Sequence, residues 1–387
     1  MRVLTLTNLY PPHALGGYEM SCADVMRRFT AAGHDVHVLT TQTRLPGVAD
    51  VVERRVQREL RWYWDDHRIV EPGRLAARRI ERHNAGVLAT ALRDIEPDVV
   101  SVWAMGGMSL SLLAQVRDGG VPAVWMVCDE WPVYGPRLDA WSARHGLPAP
   151  DPGDATLCWV SDYVRTRVLD VTAWQPHRET VTGSGIDVSD FPLREPNARP
   201  WQWRLLCVGR VEPRKGFTAA VEALAQLPGE ATLRIAGPDD GSHTAEIRRL
   251  AEDLGVSDRV TIGAVPRDQL ATVYADADVV LFTSSWNEPF GLVPIEAMAC
   301  ATPVVAAPTG GATEFLVPDD NCLAVPPRDS AAIAAACRRL AEDAELRLRL
   351  VTAGLATAAE RTTDRLAEVL ERAHREAAGR RRTAQSR

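Results

Sequence analysis

The chain has 387 residues, 46% of them hydrophobic and 25% charged, with a formal net charge of -7. That length exceeds what one hydrophobic core usually supports, so two domains are expected. The negative balance argues against nucleic acid as a partner and offers an anionic membrane no general attraction, which leaves peripheral contact at most. Seven cysteines, Cys22, Cys128, Cys158, Cys207, Cys300, Cys322 and Cys337, form no CxxC pair and fit free thiols in a reducing cytoplasm. The opening run "MRVLTLTNLY" is too short for a signal peptide, and no run reaches transmembrane length, so a cytoplasmic location is the expectation.

The first elements read as strand, loop, helix, strand. "RVLTLTN" is rich in β-branched residues, and "LYPPHALGG" is a Pro/Gly loop. "YEMSCADVMRRFTAAGH" is a helix closed by Gly33, and "DVHVLTT" is the next strand. This βαβ unit implies a parallel sheet with a right-handed crossover. A helix from about Arg74 to Ile95 follows, then strand "PDVVSVWA", helix "SLSLLAQVRDGG", strand "PAVWMVCD" and strand "ATLCWV" with Ser161 capping a further helix. Residues 1–195 therefore read as one doubly wound α/β domain.

"FPLREPNARPWQWR" holds three prolines without periodicity and reads as a linker. A second alternation occupies 200–361. It runs through strands "RLLCVGR", "ATLRIAG", "RVTIG" and "DVVLFTSS" with helices between them, and ends on helix "SAAIAAACRRLAED". The fold class is α/β, two Rossmann-like doubly wound domains in tandem. A last helix spans about 362–378 and is expected to pack back on the first domain. The basic stretch 379–387, "GRRRTAQSR", reads as a frayed terminus.

In open α/β sheets, ligands bind beyond the carboxyl ends of the strands. Gly16 and Gly17 follow the first strand and precede a helix, where backbone N–H groups can approach a phosphate; a simple turn explains them equally well. No GxGxxG is present, so dinucleotide binding is poorly supported. "VGRVEPRKGF" places Arg210, Arg214 and Lys215 after a buried strand, a cation cluster that suits a diphosphate. "RIAGPDD" and "TIGAVP" end strands at Gly237 and Gly263, and Gly263 to Val265 offer backbone edges for a base.

"NEPFGLVPIEAMA" carries two glutamates eight positions apart. Alone, they would be helix-end charges. Glu296, expected in the first helical turn, suits the hydroxyls of a ribose. Glu288 stands before the turn, and Phe290, Gly291 and Leu292 present consecutive N–H groups to an anion or a sugar hydroxyl. A second glycine pair, Gly310 and Gly311 in "PTGGATEF", follows the next strand, with Glu314 expected in the first turn of the element after it.

Together these blocks resemble the retaining glycosyltransferases of family 4, with the GT-B fold of two facing Rossmann-like domains and a cleft between them. The resemblance spans nearly the whole chain. It is strongest over 204–327, where "VGRVEPRKG" matches a phosphate-binding loop and "EPFGLVPIE" an E-x7-E signature; "ALGGYE", "SDYVRTRV" and "TGSGIDVSDF" match elsewhere. It implies that Arg210 and Lys215 neutralise the donor diphosphate, that Glu296 holds the ribose and that Glu288 holds the donor sugar. Gly17 would approach the diphosphate from the first domain. The implied reaction moves a hexose from a nucleotide diphosphate sugar, a UDP-sugar favoured, to a small-molecule or glycan acceptor. No DxD motif stands at a first-domain strand end, so no metal or other cofactor is expected.

The sequence departs from that pattern where family members often carry a histidine. Here Cys128 occupies the position, followed by Asp129, and Trp103 stands at a second such place. Asp129 becomes the candidate that reaches the sugar or acceptor. Aromatic and acidic residues mark the acceptor side: Trp62, Tyr63, Trp64, Asp65 and Asp66 in "RWYWDDH", and Glu130, Trp131 and Tyr134 in "CDEWPVYGP". Other readings of the same fold are a sugar-nucleotide epimerase, a phosphorylase and a catalytically silent nucleotide-sugar-binding module.

Overall fold

The computed structural model describes residues 1–51, 53–65, 68–196, 199–239 and 241–385. Asp66 and two residues of the expected linker, Asn197 and Ala198, lie outside the described residues. The chain divides into two compact units. Unit 1 takes Met1–Gly183 together with the residues from Thr363 onward, and unit 2 is Ser184–Thr362. The division falls at Gly183, ahead of the proline-rich stretch that the sequence suggested, so residues 184–195 group with unit 2.

Unit 1 begins with β1 (Arg2–Leu6), α1 (Gly17–Ala31), β2 (Asp35–Thr41), β3 (Val56–Leu60) and the short strands β4 (Trp64–Asp65) and β5 (Arg68–Ile69). It continues through α2 (Arg74–Ile95), β6 (Val99–Val102), α3 (Ser111–Asp118), β7 (Ala123–Val127), α4 (Trp131–Leu138), α5 (Ala140–His145), β8 (Thr156–Trp159), α6 (Asp162–Thr172) and β9 (Glu179–Val181). One parallel sheet has the order β3-β2-β1-β6-β7-β8-β9, so the winding reverses between β1 and β6. Strands β6 and β7 are buried at every position, which explains why they read as unbroken apolar runs. Gly33 takes a left-handed φ of +82° just past α1, and the Ser161 side chain accepts the Val164 N–H at 3.1 Å to start α6.

Unit 2 consists of β10 (Arg204–Val208), α7 (Phe217–Leu224), β11 (Thr232–Ala236), α8 (Ser242–Asp253), β12 (Val260–Gly263), α9 (Arg267–Asp276), β13 (Val279–Phe282), α10 (Leu292–Ala299), β14 (Val304–Ala306), β15 (Leu323–Ala324), α11 (Ser330–Glu342) and α12 (Ala344–Ala359). Its parallel sheet has the order β12-β11-β10-β13-β14-β15. The reversal here lies between β10 and β13, the two strands that precede the basic loop and the two-glutamate segment. The core joins α7 and α11 to the sheet through Leu205, Val221, Leu233, Ile235, Leu281, Ile333 and Leu340.

The last helix, α13 (Thr363–Gln385), packs on α1 and beside β6, β7 and β8 of unit 1. Arg28 pairs with Asp364, His34 Nε2 lies 2.8 Å from Glu371 Oε1, and His374 meets Phe29 edge-on at 5.1 Å. Burial pushes the His374 imidazole down to about 4, so it packs as a neutral ring. The stretch read as a frayed tail from Gly379 is instead helical through Gln385. Among the described residues no helix is long and apolar enough to cross a membrane, and all seven cysteines are free thiols.

Candidate functional site

The site in unit 2 is built from loops that leave adjacent strands. After β10 the chain makes a tight 3-10 turn at Pro213–Lys215 and then Gly216, at φ +67°. The carbonyl of Thr283, at the end of β13, comes so close to Gly216 that a Cβ would sit 2.2 Å from its oxygen. Thr283 Oγ1 donates to the Lys215 carbonyl at 2.9 Å, and the Ser285 N–H donates to the Arg214 carbonyl at 2.9 Å. The basic loop and the glutamate loop are therefore tied to each other through their backbones. Lys215 Nζ lies 2.7 Å from Glu288 Oε1, and Ser284 Oγ donates to the same oxygen at 2.8 Å.

The loop after β14 supports this pair from below. Gly310, at φ +56°, packs on the Glu288 backbone, where a Cβ would lie 2.3 Å from the Glu288 carbonyl oxygen. The Gly311 N–H donates to that oxygen at 2.7 Å. Glu288 is only 5% exposed. A buried carboxylate is tolerated when a cation and hydrogen bonds offset its desolvation, and Lys215 and Ser284 supply both. Glu314 ends the 3-10 turn Gly310–Glu314 as an exposed residue, not in a first helical turn.

Arg214 is held by both Glu212 oxygens, at 2.8 and 3.2 Å, and its guanidinium lies 4.4 Å over the Trp286 ring. Arg210 is half exposed and reaches Glu212 only at 3.8 Å, which leaves its charge the most available of the three cations in this loop. Helix α10 starts at Leu292 after Gly291, at φ +99°, and among the described residues no side chain caps it. Helix starts of this kind, four residues on from Glu288, expose N–H groups to which an anion can bind.

Glu296 lies past the first turn of α10, one turn deeper than the sequence reading placed it. It accepts a hydrogen bond from the Tyr274 hydroxyl at 2.6 Å. Burial pushes its carboxyl above the ordinary value of 4.5, while Tyr274 and Arg267 pull it down and Asp190 raises it further. Arg267 is itself fixed on Asp190 at 2.8 Å and stacks 5.3 Å from Phe191. A carboxylate whose folded pKa is raised binds its proton more tightly in the folded state. The stability that proton provides is therefore lost as pH rises through 4.5 toward the raised value. Glu296→Gln should accordingly melt higher than the wild type at neutral pH, with the difference closing as pH falls below that window in a melting series. The same variant should bind a ribose-containing donor about tenfold more weakly, because a charge-assisted hydrogen bond is lost.

Gly237 and Gly263 are engaged by the sheet itself. The Gly237 N–H donates to the Gly263 carbonyl at 3.1 Å, and a Cβ at Gly237 would sit 1.9 Å from the Gly209 oxygen. Gly237 is therefore required by close backbone packing between loops, while Gly263 and partly buried Val265 stand at the end of β12. A cavity of about 720 Å³ lies elsewhere in unit 2, where Arg199, Trp201, Asp278 and Arg347 line it at the opposite ends of the strands. It shares no residue with the loops described above.

In unit 1 the sequence candidates separate. Gly16 is extended, and its N–H is taken by Glu19 Oε2 at 3.0 Å; a Cβ there would meet nothing closer than 4.0 Å, so unit 1 imposes no steric need for glycine. Gly17 opens α1 and is exposed. The Tyr18 hydroxyl bridges the end of β7, donating to the Met126 carbonyl at 2.6 Å and accepting the Cys128 N–H at 3.1 Å. Burial holds the Cys128 thiol well above its ordinary range, which leaves it protonated and a poor nucleophile. Asp129 accepts the Trp131 N–H at 3.0 Å and the Tyr134 hydroxyl at 2.6 Å, and burial raises its carboxyl against those two hydrogen bonds.

Two acceptor-side expectations need correction. Trp131 is completely buried and packs 5.9 Å from Trp125, because α4 starts there and turns its first residue into the core. Glu130 faces α6, where it takes the Tyr163 hydroxyl at 2.9 Å and Arg167 at 3.3 Å. Trp62 and Trp64 stack at 5.6 Å and remain partly exposed. Trp103 is buried and donates its indole N–H to Ser101 at 3.0 Å. Sequence reasoning missed Tyr274, Ser284, Thr283, Arg267 and Tyr18. Ser284 reaches Glu288 within its own segment, and the other four acquire a role only through a contact distant in the chain.

Two family models cover most of the chain, "Glycosyltransferase Family 4" over residues 15–190 and "Glycosyl transferases group 1" over residues 192–356. The chain belongs to the family 4 glycosyltransferases. Curated relatives include a D-inositol 3-phosphate glycosyltransferase of Mycolicibacterium smegmatis, 49% identical over 27% of this chain and 24% of its own length. Another, from Acidothermus cellulolyticus, is 36% identical over 56% of this chain and 52% of its own length. The matched regions thus span about a quarter to a half of these relatives. Among solved structures, a sucrose-phosphate synthase from Thermosynechococcus elongatus aligns with a TM-score of 0.76, at 22% identity over 97% of this chain and 98% of its own. Anabaena HepE in complex with UDP aligns at 0.72, with 20% identity over 96% and 99%. These likenesses establish the family 4 chain as a GT-B fold.

Proposed function

We propose that this family 4 protein is a retaining glycosyltransferase that moves a hexose from a nucleotide diphosphate sugar, a UDP-sugar favoured, to a hydroxyl of a small-molecule or glycan acceptor in the cytoplasm. The observation that carries this reading is the Lys215–Glu288 pair, 2.7 Å apart with the carboxylate buried and the lysine partly so, at the point where the unit 2 sheet reverses. A cation, a carboxylate and an uncapped helix start converge there, as a diphosphate joined to a sugar requires. HepE, solved with UDP and with UDP-glucose, supports the donor class. The curated relatives named for inositol 3-phosphate support a polyhydroxylated acceptor.

In this scheme Lys215 and Arg210 bind the diphosphate, the Phe290–Leu292 amides add hydrogen bonds, and Glu296 takes the ribose hydroxyls. Glu288 hydrogen-bonds the donor sugar and stabilises positive charge growing at the anomeric carbon. The acceptor oxygen bonds to that carbon on the face from which the phosphate departs. The carbon–oxygen bond to the diphosphate breaks, its electron pair stays on the leaving phosphate, and the acceptor proton passes to that phosphate. Lys215 and Arg210 offset the negative charge that develops, so the scheme calls for no metal. A melting panel of UDP-, GDP- and ADP-glucose tests the donor class, with a stabilisation of about 2 kcal/mol or more expected from a donor present at a hundred times its Kd. No shift from any of them overturns the assignment.

A further inference from the structure

The carboxyl ends of β6 and β7 in unit 1 carry a second constellation that the donor chemistry does not use. Gly106 and Gly107 follow β6. A Cβ at Gly106 would lie 2.7 Å from the Tyr134 hydroxyl, and one at Gly107, φ +73°, would lie 2.7 Å from Trp62 Nε1. Two aromatic side chains therefore close on this glycine pair, and Trp62 Nε1 donates to the Gly106 carbonyl at 2.8 Å. Trp62 is backed by Trp64, stacked at 5.6 Å with 21° between the planes. From the β7 side, the Tyr134 hydroxyl is fixed on Asp129 Oδ2 at 2.6 Å. The result is a connected row of ring, glycine backbone, phenol and carboxylate at the ends of neighbouring strands.

The charge of these loops is one-sided. Residues 103–110, "WAMGGMSL", and 128–131, "CDEW", contain no arginine or lysine. Of the nearby basic residues, Arg58 in β3 is spent on the Tyr10 and Pro11 carbonyls at 2.9 and 2.5 Å, Arg44 is paired with Asp50 at 2.7 Å, and Arg61 precedes Trp62 outside the two loops, its backbone bonded to Asn84. A phosphate brought to the β6–β7 ends would lose water beside Asp129 with no cation on either loop to receive it. Hydroxyls suit the row: a polyol can donate to Asp129 and to the Tyr134 hydroxyl oxygen, whose own proton is held by Asp129, and lay a ring face on an aromatic surface.

Building on the transferase reading above, we infer that the Asp129–Tyr134 pair and Trp62 form the acceptor subsite, and that it selects an unphosphorylated polyol, a sugar or cyclitol, over the phosphorylated acceptor for which the curated relatives are named. Refusal comes from a repulsive element, a carboxylate where a phosphate would need a cation. Asp129 acts here as a positioning residue for the acceptor hydroxyls.

The test uses the full chain with whichever nucleotide glucose stabilises it most in the melting panel. Donor consumption is followed with myo-inositol, glucosamine or D-inositol 3-phosphate added. Myo-inositol or glucosamine should accelerate turnover over the acceptor-free rate, with kcat/KM at least about tenfold above that of the phosphate. Asp129→Asn and Tyr134→Phe should each raise the acceptor KM about tenfold and leave the donor KM within about twofold. Preference for inositol 3-phosphate, no acceleration by any of the three, or equal effects on both KM values overturns the inference while the donor-induced melting shift survives. Loss of that shift instead sinks the transferase reading and takes this inference with it.

Discussion

Lys215→Ala should lower kcat/KM by about a thousandfold. The side chain lies 2.7 Å from Glu288 and 5.9 Å from the Trp286 ring centroid, on a turn whose carbonyls are tied to Thr283 and Ser285. A cation fixed before the reaction begins stabilises leaving-group charge without reorganising, and removal of one such group typically costs a factor of about 100–1,000. Stability falls as well, because Glu288 is left buried without its cation; breaking a buried pair from one side costs about 3–5 kcal/mol. The two effects separate in a double variant. Lys215→Met with Glu288→Gln should recover most of the lost melting temperature, since a neutral pair needs no counter-charge. It should recover none of the activity. A double variant that regains turnover would assign Lys215 a structural role only.

Gly216→Ala and Gly310→Ala should each destabilise unit 2 by about 3 kcal/mol and abolish most turnover. Both positions have positive φ, which alone costs an L-residue about 1–2 kcal/mol. Both also abut backbone that cannot yield cheaply, the Thr283 carbonyl at 2.2 Å from a Cβ at 216 and the Glu288 carbonyl at 2.3 Å from one at 310. Relief of either clash pushes the basic loop from the glutamate loop, or the glutamate loop from its support. The activity loss should therefore exceed what the remaining folded fraction explains, even well below the melting temperature. Gly263→Ala is the control. Nothing lies within 4 Å of a Cβ there, and its φ is not in the left-handed region, so a change within about 0.5 kcal/mol is expected. Denaturant titrations of the three variants check the order.

The fold was readable because its strands are short, apolar and regularly interrupted by turn residues. Strands β1, β6 and β13 sit where the β-branched residues are, β10 sits in an apolar run, and the α/β alternation implies parallel sheets. The elements that escaped notice lack those signals. Helix α4 contains Pro132, Gly135 and Pro136, which argue against a helix, yet tertiary packing of Trp131 holds it. Helix α12 is alanine-rich with a weak apolar stripe, and β3 has a single buried residue, Leu60.

At the site, the residue types were readable and their partners were not. Glu288, Lys215 and Arg210 stand out because charges after buried strands need a reason. That Lys215 and Glu288 face each other follows from β10 and β13 being neighbours across the sheet reversal, a fact of topology 73 residues apart in sequence. Tyr274 on Glu296 and Tyr18 at Cys128 are long-range contacts of the same kind. Trp131 misled because an aromatic beside a strand end looks the same whether it faces solvent or the core.

The most direct test of a retaining glycosyltransferase built on the Lys215–Glu288 pair is the anomeric configuration of its product. NMR of the first product formed from an α-linked nucleotide glucose, before any equilibration, should show an α linkage, and the Lys215→Met/Glu288→Gln protein should form none. A β-linked first product, or equal product from the double variant, would contradict the account.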